Sequence, residues 1–230
     1  MTVRSGTFVV AIDGPAGAGK STAARRLAAR LGYALLDTGA IYRSVALAAR
    51  RRGMDWADGA ALGKLAESLD IAFVPDGEVN RVLLDGQDVT SDIRTAEISD
   101  GASRVSAHPP VRAALLGLQR RLAAAGSIVA EGRDMGTVVF PDAQAKFFLV
   151  ASPAERARRR SLELAAAGRP ADPDAVLRDM MTRDQRDSTR EVAPLRQASD
   201  AVAIDSEGLG PEAVVDQMMR VIHEIRARGG

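Results

Sequence analysis

The chain has 230 residues, of which 46% are apolar and 3% aromatic, and its formal net charge is +1. This length suits one α/β domain with insertions, and its core must be filled by Ala, Leu, Val and Ile. The near-neutral charge argues against a general binder of nucleic acids or membrane surfaces. The absence of cysteine excludes disulfides, thiolate metal sites and a cysteine nucleophile.

No apolar run approaches the ~18 residues of a membrane span. The first apolar run, residues 8–12, stops at Asp13 and is too short for a signal peptide. A cytoplasmic protein is therefore expected. The two histidines, His108 and His223, show no spacing typical of metal ligands and are expected at the surface.

The first motif is a glycine-rich loop after a predicted strand. Residues 14–21, GPAGAGKS, fit the phosphate-loop pattern G-x-x-x-x-G-K-S/T. Glycines let backbone N–H groups curl around a phosphate, and the helix that begins near Lys20 points its positive dipole end at the same anion. Lys20 is expected to reach the β and γ phosphates, and Ser21 to hold Mg²⁺. A turn that merely links strand and helix is the weaker alternative, because an amphipathic helix follows the complete motif.

The rest of the chain alternates between helical and strand patterns. Helices are predicted near residues 20–31, 41–52, 57–69, 96–107, 111–124, 153–167, 172–190 and 211–228, and core strands near 33–37, 127–131, 145–150 and 201–204. This alternation predicts an α/β fold with a doubly wound parallel sheet. The runs 71–74 and 81–84 and a short region at 89, separated by Pro-Asp-Gly and Asp-Gly turns, predict a small antiparallel insert.

Arginines cluster at positions 156–160 and 178–190, which suggests local anion sites. Phosphoryl transfer between two phosphorylated ligands needs much positive charge, and arginine binds phosphate with a planar fork. Two simpler interpretations stay open at this point. Arg133 and Asp134 could be an ion pair at a strand end, and Arg183, Asp187 and Arg190 could be a solvated stripe on one helix face.

Four segments together carry a resemblance to a known family. They are residues 14–21, 37–43 (DTGAIYR), 132–142 (GRDMGTVVFPD) and 183–194, where Arg-Asp-x-Arg-Asp is followed by Arg190 and Ala-Pro. In this order they resemble bacterial cytidylate kinase over essentially the whole chain. The insert at 71–94 resembles the family's enlarged nucleoside-monophosphate-binding domain.

The resemblance implies a single phosphate-loop kinase domain over residues 1–230. Its core would comprise 1–37 and 108–230, its CMP-binding region with the insert 38–107, and a short helical lid 154–170. The implied reaction, in pyrimidine nucleotide metabolism, transfers the γ-phosphoryl group of ATP to CMP or dCMP with Mg²⁺. A monomer without nucleic-acid or membrane partners is expected.

Alternatives follow from the same motifs. A GTPase is disfavoured because no Asn-Lys-x-Asp signature occurs, and a kinase for AMP because Asp-Gly-Phe-Pro-Arg is absent. Kinases for UMP or shikimate remain alternatives. A regulatory module that binds a nucleotide without turnover is a further class, although a mere ATP sensor needs no second phosphate site.

The resemblance also assigns residues. The ATP-binding set is Gly14, Pro15, Ala16, Gly17, Ala18, Gly19, Lys20, Ser21, Thr22, Arg156 and Arg160. The CMP-binding set is Thr38, Arg43, Ser103, Arg112, Arg133, Asp134, Arg183, Asp187 and Arg190. The catalytic set is Lys20, Arg133, Arg183 and Arg190.

Within the CMP set, the arginines at 43, 133, 183 and 190 would hold the acceptor phosphate or the migrating phosphoryl group. Asp187, helped by Arg183, would bind the sugar hydroxyls, and Ser103, Arg112 and Asp134 would surround the base. Ser21 would bind Mg²⁺, with Glu131 as a candidate acting through water. Two positions depart from the family pattern, since Thr38 stands where serine is frequent and Glu131 where aspartate is common.

Overall fold

Eight strands and eight α-helices make up the described part of the computed structural model, which covers residues 7–77, 79–166 and 168–229. In chain order they are β1 (Val9–Asp13), α1 (Lys20–Leu31), β2 (Ala34–Asp37), α2 (Thr38–Arg51), α3 (Gly59–Ser68), β3 (Ile71–Asp76), β4 (Val79–Leu84), β5 (Gln87–Asp88), α4 (Ala96–Val105), α5 (Pro109–Ala123), β6 (Ile128–Glu131), β7 (Ala145–Val150), α6 (Pro153–Ala166), α7 (Pro173–Thr189), β8 (Val202–Asp205) and α8 (Pro211–Gly229). A 3₁₀ turn at Asp92–Arg94 and a π-helical turn at Met135–Val139 complete the described elements.

The central sheet is parallel, in the strand order β2-β6-β1-β7-β8. Successive residues of β1 point to opposite faces, as the two-residue period of a strand requires. Val10 and Ile12 pack with α1 and α8, whereas Val9 and Ala11 belong to the core that α2 to α5 cover. Because both faces are covered, the sheet is doubly wound, which confirms the predicted fold class.

The insert is a separate antiparallel sheet, in the order β3-β4-β5, as predicted. The Asp85-Gly86 turn that joins β4 and β5 has φ values of 50° and 79°, and two successive positive φ angles are typical of a type I′ hairpin turn. The insert is tied to the central sheet by Asn80, whose side-chain amide donates to the Leu35 carbonyl at 2.9 Å.

Two helices begin earlier than the periodicity predicted. α2 starts at Thr38 because the Asp37 carboxylate accepts a hydrogen bond from the Ala40 amide at 2.9 Å and caps the helix. α5 starts at Pro109 because proline, which lacks an N–H group, suits the first helical turn. The Pro-Pro pair, which lies between the two predicted helices, therefore opens the second one.

The expected surface position holds for His223, which is exposed, but not for His108. The His108 ring is partly buried against α3, where its Nε2 lies 2.8 Å from the Trp56 carbonyl oxygen. A Cβ on Gly59 would lie 2.8 Å from His108 Nδ1, so the glycine makes room for the ring.

No helix within the described residues is long and apolar enough to cross a membrane. The predicted lid, 154–170, falls on α6 and the turn after it, and its residue 167 lies outside the described residues. Residues 1–6 of the predicted core also lie outside them. The subregion boundaries stay a prediction.

Candidate active site

A cleft of about 540 Å³ opens at the carboxyl ends of the central strands, where open α/β sheets bind ligands. Its cationic lining residues are Lys20, Arg43, Arg112, Arg133, Arg159, Arg160, Arg183 and Arg190. Its acidic lining residues are Asp37, Glu131, Asp134, Glu163 and Asp187. The excess of cations suits a polyanionic ligand.

The phosphate loop forms one wall of this cleft, between β1 and the first turn of α1. Gly14, Gly17 and Gly19 have φ values of 145°, 74° and 87°, a range that glycine adopts without strain. A Cβ on Gly14 would lie 2.2 Å from the Leu149 carbonyl oxygen, so a side chain here would push β7 away. The loop thus places its backbone beside the N-terminus of α1, a ready-made anion site.

The Lys20 ammonium is held inside this loop. The side chain is 5% exposed, and its Nζ donates to the Pro15 carbonyl at 2.7 Å. Burial, reinforced by the charge of Arg133, lowers the pKa of Lys20 to about 7, against the opposing pull of Glu131. Because its charge is poorly solvated, the ammonium gains more from a phosphate than a surface lysine would.

Glu131 connects β6 with the loop and with α2. Its carboxylate accepts from the Ser21 hydroxyl at 2.9 Å, and its carbonyl accepts from the Thr38 hydroxyl at 2.7 Å. Burial, together with the negative charge of Asp37, raises the pKa of Glu131. Among the described residues no three His, Cys, Asp or Glu side chains form a metal cluster. A magnesium ion that keeps several waters and takes phosphate oxygens needs only such a hydroxyl and carboxylate, so the pair fits Mg²⁺.

At the far end of the cleft, Asp134 lies between two buried arginines. Its Oδ2 accepts from Arg112 Nη2, and its Oδ1 lies 3.4 Å from Arg190 Nη2. The Asp134 side chain is 3% exposed, and the Arg112 guanidinium carbon lies 5.5 Å from the centroid of the Tyr42 ring. This buried group presents both acceptors and donors to a ligand, as recognition of a base edge requires.

Between the two ends, arginines surround Asp187. Arg133 Nε donates to Asp187 Oδ2 at 2.9 Å, and Arg190 Nη1 lies 3.9 Å from Asp187 Oδ1. Arg43 and Arg183 each keep a buried Nε with no hydrogen-bond partner among the described residues. Because both guanidiniums line the cleft, their outer N–H groups suit an anion there.

These contacts exclude both simpler interpretations of the sequence. Arg133 pairs with Asp187, and Asp134 pairs with Arg112 and Arg190, so the two neighbours are not a strand-end ion pair. The predicted helix-face stripe is also not solvated, because Asp187 is 4% and Arg190 9% exposed.

Most of the predicted site residues line this one cleft, from both the ATP and the CMP sets. They are Ala16, Gly17, Ala18, Gly19, Lys20, Ser21, Thr22, Thr38, Arg43, Ser103, Arg112, Glu131, Arg133, Asp134, Arg160, Arg183, Asp187 and Arg190. Three others, Gly14 and Pro15 of the loop itself and Arg156, are not among the residues that line the cleft. Arg156 is buried against the loop. Its Nη1 donates to the Ala16 carbonyl at 3.0 Å and also pairs with Asp184. A direct contact of Arg156 with ATP stays a prediction.

Three residues outside the predicted set hold the site together. Arg159 lines the cleft and donates to the Ser206 hydroxyl at 3.0 Å. The Asp13 carboxylate accepts from the amides of Met135 and Gly136, each at 2.8 Å, and burial raises the pKa of Asp13 to about 6. Arg186 contacts Ser103. In the sequence, Arg159 and Arg186 lie in the two arginine clusters and Asp13 ends the first strand, and these positions were the signals that could have identified them.

Comparisons with known proteins agree with this geometry. The sequence profile of the family described as cytidylate kinase matches residues 10–224. A cytidylate kinase of Geobacter sp. strain M21 is 53% identical over 227 residues, covering 99% of this chain and 97% of that protein. A cytidylate kinase of Pseudomonas paraeruginosa is 51% identical over 223 residues, covering 96% of each. The crystal structure of an uncharacterized protein from Eubacterium ventriosum, 12% identical, has a TM-score of 0.51 over 94% of this chain and 98% of that chain, and it shares the fold alone. The chain belongs to the cytidylate kinase family.

Proposed function

We propose that this chain transfers the γ-phosphoryl group of ATP to CMP or dCMP, giving ADP and CDP or dCDP. The observation that carries the proposal is the continuity of one cleft, which joins the phosphate loop to a second set of buried arginines and to Asp134. A protein that only bound ATP would have no use for the second set. Family membership supports the same reaction.

The ATP phosphates would lie against the loop amides and the Lys20 ammonium. Arg159 and Arg160 of α6 line the same end of the cleft and would face the nucleotide from the lid side. Catalysis of phosphoryl transfer depends on positioning and on neutralising the charge that spreads over the equatorial oxygens. The positive charge of the Lys20 ammonium would neutralise this negative charge at the donor phosphate.

The acceptor phosphate would lie among Arg43, Arg133 and Arg183. The guanidiniums of Arg43 and Arg183 line the cleft and would donate to the phosphate oxygens from their outer N–H groups. Arg133 and Arg190, which both lie near the Asp187 carboxylate, would reach the migrating group from the other side. An oxygen of the CMP phosphate forms the new bond to γ-phosphorus, and ADP leaves with the electrons of the broken bond.

Ser21 would hold Mg²⁺ directly and Glu131 through water. Bound there with ATP, the ion would neutralise charge on the β and γ phosphates. The sugar hydroxyls would lie near Asp187, and the base near Ser103, Arg112 and Asp134. A monomeric state and a cytoplasmic location stay predictions from the sequence.

A coupled assay of ADP release with CMP, dCMP, UMP, AMP and shikimate as acceptors tests the proposal. We expect turnover with CMP and dCMP to exceed turnover with the others. As a matched control, Arg178→Ala on the exposed face of α7 should leave the ranking unchanged, because this side chain is 70% exposed. Preference for another acceptor would replace the proposal with a different kinase. ATP binding without ADP release from any acceptor would indicate a regulatory module.

A further inference from the structure

Arg186 connects α7 to the acceptor helix α4 without lining the cleft. Its Nη1 donates to the Ser103 hydroxyl at 3.0 Å and to Asp100 Oδ1 at 3.2 Å. Ser103 is 6% exposed and does line the cleft, at the same end as Asp134. Among the described residues, these two bonds are the side-chain hydrogen bonds between α4 and α7.

Other serines near Ser103 use their hydroxyl protons differently. The Ser99 hydroxyl donates back to the Thr95 carbonyl at 2.7 Å, and the Ser106 hydroxyl donates to the Ser103 carbonyl at 3.0 Å. Such bonds to the preceding turn are the usual state of a helical serine. Ser103 forms no such bond within the described part of the chain, and its hydroxyl has Arg186 as its partner.

We propose that Arg186 is a positioning residue that sets the polarity of the Ser103 hydroxyl. A guanidinium can only donate, so Ser103 must accept from it, and its single O–H proton remains free to donate into the cleft. The bond to Arg186 also holds the Ser103 oxygen at a position from which it does not reach the preceding turn. Without that bond, the side chain would be free to turn, donate its proton to the helix and offer the cleft only lone pairs. This inference rests on the proposed function, since it assigns the donor to the base of CMP.

A donor at this place matches cytosine. The ring nitrogen and the carbonyl of cytosine are adjacent acceptors, and the Asp134 carboxylate would accept from its exocyclic amine. Arg112 donates to the Ser106 carbonyl at 3.3 Å and to Asp134, and its remaining N–H groups are further donors beside Ser103. Arg186 would therefore act on CMP through Ser103 and would not touch the substrate.

A double-mutant cycle tests this coupling, with Arg186→Met, Ser103→Ala and the double variant measured for KM of CMP, KM of ATP and kcat. We expect each single change to raise KM of CMP by about tenfold at most, the effect of one hydrogen bond. KM of ATP should stay within about twofold, and the double variant should be no worse than Ser103→Ala. Arg186→Lys should recover part of the loss, because an ammonium still donates.

The variant Asp100→Asn distinguishes the effect of Arg186 on the Ser103 hydroxyl from the effect of the Arg186–Asp100 ion pair. Arg186 can still donate to Ser103 in this variant, so KM of CMP should change by less than about twofold. A loss as large as that of Arg186→Met would show that the bridge between helices matters and not the serine, which would overturn the inference. Effects of Arg186→Met and Ser103→Ala that multiply in the double variant would overturn it as well.

The wild-type protein and Arg178→Met on the same helix complete the set. Arg178→Met should behave as wild type. If Arg186→Met does not fold, Arg186→Lys and Asp100→Asn carry the comparison: KM of CMP should rise more in the first than in the second, and the opposite order would refute the inference. If the wild type does not phosphorylate CMP, the proposed function fails and this inference fails with it. If the wild type is active and the cycle is multiplicative, only the inference fails.

Discussion

Asp134→Asn should lower both the stability of the protein and its preference for cytosine. The Asp134 carboxylate is 3% exposed and lies between Arg112 and Arg190, whose side chains are 7% and 4% exposed. Neutralising the carboxylate removes the ion-pair partner of the buried Arg112 and one of the two carboxylates beside Arg190, and breaking a buried pair costs about 3–5 kcal/mol. Because the amide oxygen can still accept from one arginine, we expect the lower end, about 3 kcal/mol less free energy of unfolding.

The effect on the base follows from the same geometry. A carboxylate has about four acceptor positions, and the two arginines occupy two, so an exocyclic amine could use another. Whichever arginine the asparagine oxygen faces, the NH₂ group replaces the other carboxylate oxygen and removes acceptor positions that the exocyclic amine could use. That group opposes the amine of cytosine but can donate to the carbonyl of uracil. An unpaired buried group costs about 1–3 kcal/mol, or about 5- to 150-fold.

The assay compares kcat/KM for CMP with that for UMP, alongside urea unfolding. The ratio of CMP to UMP should fall by at least about fivefold in Asp134→Asn, with KM of ATP little changed. Asp172→Asn is the control, because Asp172 caps the exposed start of α7 and should not touch the ratio. An Asp134→Asn enzyme with the wild-type ratio would refute the reasoning and make Asp134 a structural residue.

Three further outcomes concern the phosphate end. Lys20→Ala should depress kcat far more than it weakens CMP binding, because the ammonium acts mainly on the transition state; near wild-type turnover at saturating ATP would contradict this. The pKa of Lys20, about 7 when folded and 10.5 ordinarily, means that the unfolded state holds more protons between these values. The free energy of unfolding should therefore rise with pH in that window more steeply than in Lys20→Ala, and equal slopes in urea titrations would disprove it. Arg183→Lys should reduce turnover with little change in melting temperature, whereas Arg190→Lys should lower both, since lysine lacks the bidentate fork and the buried Arg190 also holds Asp134 and the Ala193 carbonyl; wild-type turnover in both would argue against a phosphate clamp.

The sequence was informative where the signal is local. The phosphate loop and α1 could be predicted from spacing alone, because a strand, three glycines and a lysine follow one another within a few residues. The parallel core followed from alternating patterns, and the antiparallel insert from its turn residues. The helix starts at Thr38 and Pro109 were missed because the first turn of each helix has no apolar periodicity. Only the capping residues mark these starts.

The partners of the charged residues could not be predicted from the residues themselves. Asp134 meets an arginine 22 positions before it and another 56 positions after it, and Arg133 meets Asp187 across 54 positions. Such pairs depend on how the sheet closes, and no periodicity encodes them. Spacing predicted Arg183, Asp187 and Arg190 on one helix face, but α7 ends at Thr189, and Arg190 follows it in an extended conformation. Only the packing of the chain shows that Asp187 and Arg190 are buried.

The two hydrogen bonds to Asp13 join the two ends of the site, and their opening can be followed by hydrogen exchange. Asp13 directly precedes the phosphate loop, yet its carboxylate holds the amides of Met135 and Gly136, which follow Asp134. The segments expected to bind two different substrates therefore share one anchor. When the Asp13 carboxylate moves away, both amides lose their acceptor at once. We therefore expect the two amides to exchange with solvent deuterium with the same free energy of opening. A ligand at either end that steadies the anchor should slow this exchange, and any resulting gain in affinity must be reciprocal between ATP and CMP.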